Sequence, residues 1–274
     1  MNELQSQFHK DGVVFIQGAL DRNTLKLAEA AFDWTFNNPG PGAGDLLIGT
    51  PGTFYQDQAN PECFDAYREL LQDTCIPDLV AGLWESNSVW FLYEQIWFKD
   101  GGNTRRTPWH QDLPYLPVEG DDLGVLWTNL DPVTQDTSLE LVQGSHRGPL
   151  FNPAAFNPDD ASAALFDEGV LPPLPDIEAA RHEWPIVSWA MEPGDVIIFH
   201  PAMLHGGAPT YAGQRRRTLS LRFFGDHTFC SDLPHNGLAD VEGLQHGGDR
   251  HPLKQMAFVA PGTPFRHPDF PKLR

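Results

Sequence analysis

The chain is poor in cysteine, in positive charge and in long apolar runs. Three cysteines, Cys63, Cys75 and Cys230, are too few and too scattered for a disulfide framework, and no CxxC spacing suggests a thiolate zinc site. They read as small buried apolar side chains. Only 18 basic residues face 37 acidic ones, and the formal net charge of -19 repels phosphate backbones and anionic lipid head groups. Nucleic acid and membrane surfaces are therefore not expected partners. No stretch approaches the roughly 20 apolar residues of a membrane span. The opening MNELQSQFHKDG has no basic patch followed by an apolar run, so a cytoplasmic protein with a small-molecule partner is expected.

What is present is enough for a core: 41% of residues are hydrophobic and 20% are charged. One domain is expected over residues 1–274, with a helical front to about 85, a β body from about 88 to 225 and an irregular tail at 226–274. In FHKDGVVFIQGAL a short helix should reach Asp11 and Gly12 before a strand at Val13 to Ile16. DRNTLKLAEAAFDWTFNN offers Asp21 as a cap and Leu25, Leu27, Ala28, Ala31 and Phe32 at helical spacing. PECFDAYRELLQDTCIPDLVAGLWE predicts one or two further helices with a break near Pro77. The later segments, from SVWFLYEQIWFK to RRTLSLRFFGD, read as strands between Gly, Pro and Asp turns. The Pro- and Asp-rich excursions at 148–175 and 226–250 have the character of covering loops.

Chemistry is concentrated in TPWHQDLPY. Residues i and i+2 of a strand share a face, so a strand or strand end at Trp109 to Leu113 would aim His110 and Asp112 into one cavity and turn Gln111 away. An imidazole and a carboxylate joined by a second histidine form the set that suits non-haem Fe(II). EPGDVIIFHPAMLHGGAP supplies two candidates, His200 and His205. His205 is preferred because Gly206 and Gly207 follow it, where the chain can approach an ion closely. His200 then reads as structural. In QRRRTLSLRFF, alternation puts Arg216, Thr218, Ser220 and Arg222 on one face, opposite Arg217, Leu219 and Leu221. A guanidinium facing a barrel interior needs an anion, and Arg216 near a ferrous site suggests the far carboxylate of a dicarboxylate cosubstrate. Arg215 reads as solvated.

Taken together, FHKDGVVFIQGAL, IWFKDGGNTRRTPWHQDLPY, LWTNLDPVTQDTSLELVQGSHRG, PGDVIIFHPAMLHGGAP and an arginine eleven residues after the distal histidine resemble the phytanoyl-CoA dioxygenase family of Fe(II)/2-oxoglutarate oxygenases. The resemblance implies a mainly β fold, a double-stranded β-helix of the jelly-roll or cupin-like kind flanked by N-terminal helices. It also implies Fe(II), 2-oxoglutarate and O2 as cofactor and cosubstrates. It carries metal ligation onto His110, Asp112 and His205, the remote 2-oxoglutarate carboxylate onto Arg216, and the cosubstrate pocket onto Trp127, Gln95, Lys99 and Gln111. Ser145 and His146 match a structural turn. The implied reaction is hydroxylation of an unactivated C–H bond with release of succinate and CO2. Radical halogenases of the superfamily have Gly or Ala in place of Asp112, so halogenation is not expected.

The chain departs from the family's commoner HGSGxN with HGGAPTYAG, which alters local polar contacts and leaves the ligand in place. The substrate is not identified. Tyr93, Tyr115 and Phe54, with Tyr55 and Trp97, suggest a partly apolar pocket, while Arg105, Arg106 and Arg222 could meet an anion. Two rivals remain at this level: a cupin-like isomerase or hydrolase using Mn(II) or Zn(II), and a 2-oxoglutarate-binding pseudoenzyme.

Overall fold

A computed structural model describes residues 2–46, 52–84, 86–101, 106–154, 164–207, 209–233 and 251–274. Helix α1 (Glu3–Asp11) starts at Asn2, whose side chain accepts the Gln5 N–H, and ends at Gly12. Gly12 sits at φ +76°, and a Cβ there would collide with His146 and Met203 at 2.4 Å. Strand β1 (Val13–Ile16) follows, then α2 (Arg22–Asn37), capped by the Asp21 carboxylate on the Thr24 N–H as its sequence predicts. Next come β2 (Gly44–Asp45), β3 (Thr53–Gln58), α3 (Cys63–Gln72) and α4 (Ile76–Ala81). The expected break near Pro77 falls instead at residues 73–75. Pro77 lies in the first turn of α4, where its missing N–H has no intrahelical partner to lose.

The β body contains β4 (Trp90–Asp100), β5 (Thr107–His110), β6 (Val118–Gly120), β7 (Leu123–Asn129), β8 (Leu139–Val142), β9 (Ile186–Val187), β10 (Val196–Phe199), β11 (His205–Gly207), β12 (Arg215–Phe224) and β13 (Thr228–Cys230). A last helix, α5, spans Pro252–Met256. The larger sheet has the order β1-β10-β7-β12-β4-β3-β2, the smaller β5-β11-β8-β9, and β13 pairs with β6. Every pairing between these strands is antiparallel. Two facing antiparallel sheets with strands alternating between them make the expected jelly roll. The front is more than helices, because it supplies β1 to one edge of the larger sheet and β2 with β3 to the other.

Alternation on β12 decides what faces where. Leu219 and Leu221 pack outward with Phe32, Tyr67, Leu70 and Ile96 beneath the helices. Each such buried side chain contributes about 1.5–3 kcal/mol. The opposite face carries Arg216, Thr218, Ser220 and Arg222, all buried. The tail is also more ordered than expected: Phe265 and Phe270 are buried with Leu253 and Met256 against Phe224. Among the described residues no helix is long and apolar enough to cross a membrane.

Candidate metal centre

Strand β5 ends at His110, so a shared strand face does not by itself bring Asp112 beside it. Asp112 has helical backbone angles and opens a 3-10 turn, Leu113–Tyr115. Its N–H and that of Leu113 both donate to the Pro201 carbonyl, at 2.9 and 3.0 Å. His205 opens β11 directly across from His110, with the two rings 4.2 Å apart. The Ser145 hydroxyl accepts the Leu204 N–H at 2.8 Å, which ties the chain just before His205 to the QGSH turn. Gly206 and Gly207 do permit a close approach, but to β5: a Cβ on either would lie 3.1 or 3.2 Å from Thr107.

Both imidazoles are oriented by carbonyls. His110 Nδ1 lies 2.8 Å from Pro108 O, and His205 Nδ1 lies 2.9 Å from Met203 O. A carbonyl only accepts, so each Nδ1 carries the proton and each Nε2 keeps its lone pair. Both Nε2 atoms stand 3.6 Å from Asp112 Oδ1. The ligating atoms of the three residues all lie within 4.8 Å of one another. Burial, with His110 alongside, pulls His205 down to about 4, which keeps it neutral and able to ligate. Burial pushes the Asp112 carboxyl up, yet Arg222 and the two histidines outweigh it and hold the group well below the usual carboxylate range. Two imidazole nitrogens and one carboxylate oxygen gathered at one point form a donor set that suits iron.

His200 is excluded by its bonding. Its Nε2 faces the Gly120 carbonyl at 3.1 Å and its Nδ1 accepts the Ala202 N–H at 3.1 Å, so both nitrogens are committed.

The second oxygen of Asp112 has its own partner. Arg222 donates to Oδ2 from Nη2 at 2.8 Å and from Nε at 3.2 Å. The same Nη2 donates to Gln95 Oε1 at 2.8 Å, and Gln95 Nε2 donates to Gln56 Oε1 at 3.2 Å. The guanidinium lies 4.5 Å over the Tyr93 ring. Of the two residues expected against substrate, Arg222 bonds Asp112 and Tyr93 lies against the Arg222 guanidinium. Gln95, expected in the cosubstrate pocket, is committed to the same ring of contacts. A sequence signal did exist, since a ligating carboxylate has a second oxygen to satisfy and Arg222 shares the face of Arg216.

Arg216 pairs across the sheet with Lys99, and both are buried on the inner face. Arg216 donates to the Thr137 carbonyl, and burial pulls its pKa down to about 10. The Lys99 ammonium sits 4.0 Å over the Phe54 ring, so Phe54, expected to touch substrate, is the floor beneath a cation. On β7, Trp127 stands opposite Ser220. Its buried Nε1, like that of Trp97, has no hydrogen-bond partner among the described residues. Two buried cations and two buried indole N–H groups on one face of the larger sheet have the chemistry to suit a small dianion.

The chain matches the family described as phytanoyl-CoA dioxygenase (PhyH) over residues 8–218. It belongs to that family of Fe(II)- and 2-oxoglutarate-dependent oxygenases. The human peroxisomal phytanoyl-CoA dioxygenase is 30% identical over 152 residues, which is 53% of this chain and 43% of that protein. A probable phytanoyl-CoA dioxygenase of Caenorhabditis elegans is 30% identical over 129 residues, 46% of this chain and 39% of that one. The matches thus span about two fifths of these relatives' length. Among solved structures, the α-ketoglutarate-dependent epimerase SnoN from nogalamycin biosynthesis superposes with a TM-score of 0.70 at 20% identity, covering 99% of this chain and 97% of that one. The carbocyclase SnoK gives 0.68 at 16%, covering 100% and 96%. EvdO2 of Micromonospora carbonacea var. aurantiaca, complexed with 2-oxoglutarate, gives 0.61 at 19%, covering 86% and 96%. These likenesses establish the fold.

Three further residues singled out in the sequence lie nearby. The Gln111 amide donates to Ala202 O at 2.8 Å and Pro149 O at 3.3 Å, and accepts the Phe151 N–H at 2.8 Å. The Tyr115 hydroxyl donates to Ala154 O at 2.8 Å. Together they strap residues 149–154 beside the ligand pair, where neither was expected. Arg106 is engaged by Glu140 at 2.6 Å and Glu178 at 3.2 Å. Arg105 lies outside the described residues, as do parts of both expected covering loops.

Proposed function

We propose that this chain hydroxylates an unactivated C–H bond of a small organic substrate, with iron held by His110, Asp112 and His205. The observation that carries the reading is the nearness of two sites: a Cβ on Gly207, two residues after His205, would lie 4.0 Å from the Arg216 guanidinium. One is a three-ligand cluster with its nitrogens oriented by carbonyls. The other is a buried Arg216 and Lys99 pair on the facing sheet. Iron, with 2-oxoglutarate and O2, supplies the oxidising chemistry and yields succinate and CO2. Within that reaction Arg216 and Lys99 bind the remote carboxylate, the Trp127 indole N–H offers a further donor, and Arg222 keeps Asp112 ionised and aimed. A cupin-like isomerase or hydrolase has no need of Arg216 at this place, and a pseudoenzyme has no need to keep all four groups.

The outcome is hydroxylation and not halogenation because Asp112 fills the position that a halide would need. The epimerase and carbocyclase among the structural neighbours make the product the decisive measurement. The relatives' acyl-CoA substrate does not follow from partial matches, and the acidic surface gives a CoA thioester no long-range attraction.

The test is a small-molecule screen read by succinate release, followed by mass spectrometry of the product in excess chloride. A gain of one oxygen is expected. A chlorinated main product, or an isomer of unchanged oxygen content, would overturn the assignment to hydroxylation.

A further inference from the structure

Residues 251–274 lie beyond the segment matched to the family, yet they are stitched into the end of the barrel nearest Asp112. Phe91 N donates to Pro271 O at 2.9 Å, Leu273 N to Val89 O at 2.8 Å and Phe265 N to Thr228 O at 2.9 Å. Phe265 and Phe270 bury their rings 5.3 and 5.1 Å from Phe224.

Strand register explains how this segment reaches the site. β4 and β12 pair residue for residue from Asp100 and Arg215 as far as Tyr93 and Arg222. The next pair is Phe91 with Phe223, which leaves Leu92 as an extra residue. Such a bulge re-aims side chains. Here Leu92 and Tyr93, neighbours in sequence, both pack into the cluster built by Leu253, Met256, Phe265 and Phe270. The Tyr93 ring lies under the Arg222 guanidinium at 4.5 Å and meets the buried His251 ring edge-on at 6.4 Å. His251 in turn lies 6.3 Å from Phe270 and caps α5 through its Nδ1.

We infer that residues 251–274 are a working part of the iron site, with Tyr93 and His251 as positioning residues. The segment fixes the Tyr93 ring, the ring fixes the plane of Arg222, and Arg222 holds Asp112 Oδ2 so that Oδ1 faces the metal. The guanidinium has three acceptors within reach, namely Asp112, Gln95 and the Ser220 hydroxyl at 3.4 Å. A stacking face selects among its orientations, and a desolvated cation over a ring is held more firmly than an exposed one. The inference rests on the proposal that His110, Asp112 and His205 bind iron.

The experiment is an anaerobic Fe(II) titration of the full chain, paired with the thermal midpoint of each metal-free variant. Tyr93→Leu, which removes the face but keeps apolar volume, should weaken Fe(II) about tenfold, as the loss of groups supporting a ligand does. Tyr93→Phe should stay within about twofold, because the face remains. His251→Asn preserves a capping side chain but removes the ring, and should weaken Fe(II) by roughly two- to fivefold. Binding equal to wild type in both Tyr93→Leu and His251→Asn, whatever their thermal midpoints, would overturn the inference and leave the proposed function standing. Equal loss in Tyr93→Phe and Tyr93→Leu would overturn it too, by assigning the role to the hydroxyl. If Tyr93→Leu does not fold, His251→Asn decides. A wild-type chain that binds no Fe(II) would sink the proposed function as well.

Discussion

Arg216 and Arg222 occupy the same strand and the same face, six residues apart, and the protein uses them in opposite ways. Arg222 is paired with Asp112 and stacked on Tyr93; burial alone would lower its pKa, but Tyr93 and Asp112 raise it above the ordinary value. Arg216 bonds a neutral carbonyl and faces Lys99, and burial pulls it down to about 10. One guanidinium is neutralised by the protein and becomes scaffold. The other donates to a backbone carbonyl beside Lys99 and is the group proposed to meet the cosubstrate's remote carboxylate. The difference arises from what stands across the barrel, not from the residue type.

The largest expected effect comes from breaking the ligand set that both arginines serve. His205→Ala should abolish succinate formation and iron retention, while His200→Ala should keep iron, with metal analysis and product assay as the readouts. The reverse pattern would make His200 the distal ligand.

Two substitutions then separate the arginines. Arg216→Gln should weaken 2-oxoglutarate binding about ten- to a hundredfold, equivalent to roughly 1.5–3 kcal/mol for a charge-assisted pair, and leave iron affinity unchanged. Arg222→Gln should do the converse, weakening Fe(II) by about ten- to a hundredfold with little direct effect on the cosubstrate. Calorimetry of each ligand against each variant, with Arg217→Gln as control, tests this. Parallel losses in both variants would mean the two ends of the cavity are not separable.

A smaller effect concerns the reverse side of β4. Glu94 is fully buried there, accepting the Asn60 N–H at 2.9 Å and the Cys63 S–H at 3.0 Å. Burial pushes it from 4.5 up to about 7. Between those values the folded chain retains a proton that the unfolded chain has lost. Stability should therefore fall as pH rises through this window and level off above about 7. The change has an upper size of about 3 kcal/mol. Denaturant unfolding at pH 5 and pH 8 should show a smaller difference in Glu94→Gln; an unchanged difference would place the titration elsewhere.

Much of the site was legible because strands alternate with period two. That rule put Arg216 and Arg222 on one face and Leu219 and Leu221 on the other, and the spacing of His110 and Asp112 was informative although a turn, not a strand, completes it. What could not be read was partnership across the barrel. Whether Arg222 meets substrate or Asp112 depends on the register of β12 against β4 and on the bulge at Leu92, which no local pattern encodes. The bonds of Gln111 to Pro149, Phe151 and Ala202 are not legible either, because the chain leaves β5 after His110 and local alternation stops there. The order of the C-terminal segment is not legible because FVAPGTPFRHPDFPKLR has no period: its burial comes from isolated aromatics near prolines. β3 is not legible because Gln56 and Gln58, polar and facing inward, disguise the alternation of TFYQDQ.

The order of strands in the larger sheet also bears on how the molecule assembles. β1 pairs with β10, joining residues 13–16 to 196–199, and residues 271–274 close against Val89 and Phe91. Contacts of such sequence separation must overcome a large loop-closure entropy before they return any stabilisation, so folding belongs to the slow, millisecond-to-second class or beyond. During synthesis β1 has no partner from β10 until residues 196–199 have emerged. The candidate metal ligands, drawn from residues 110 to 205, are likewise brought together by pairing between strands far apart in sequence.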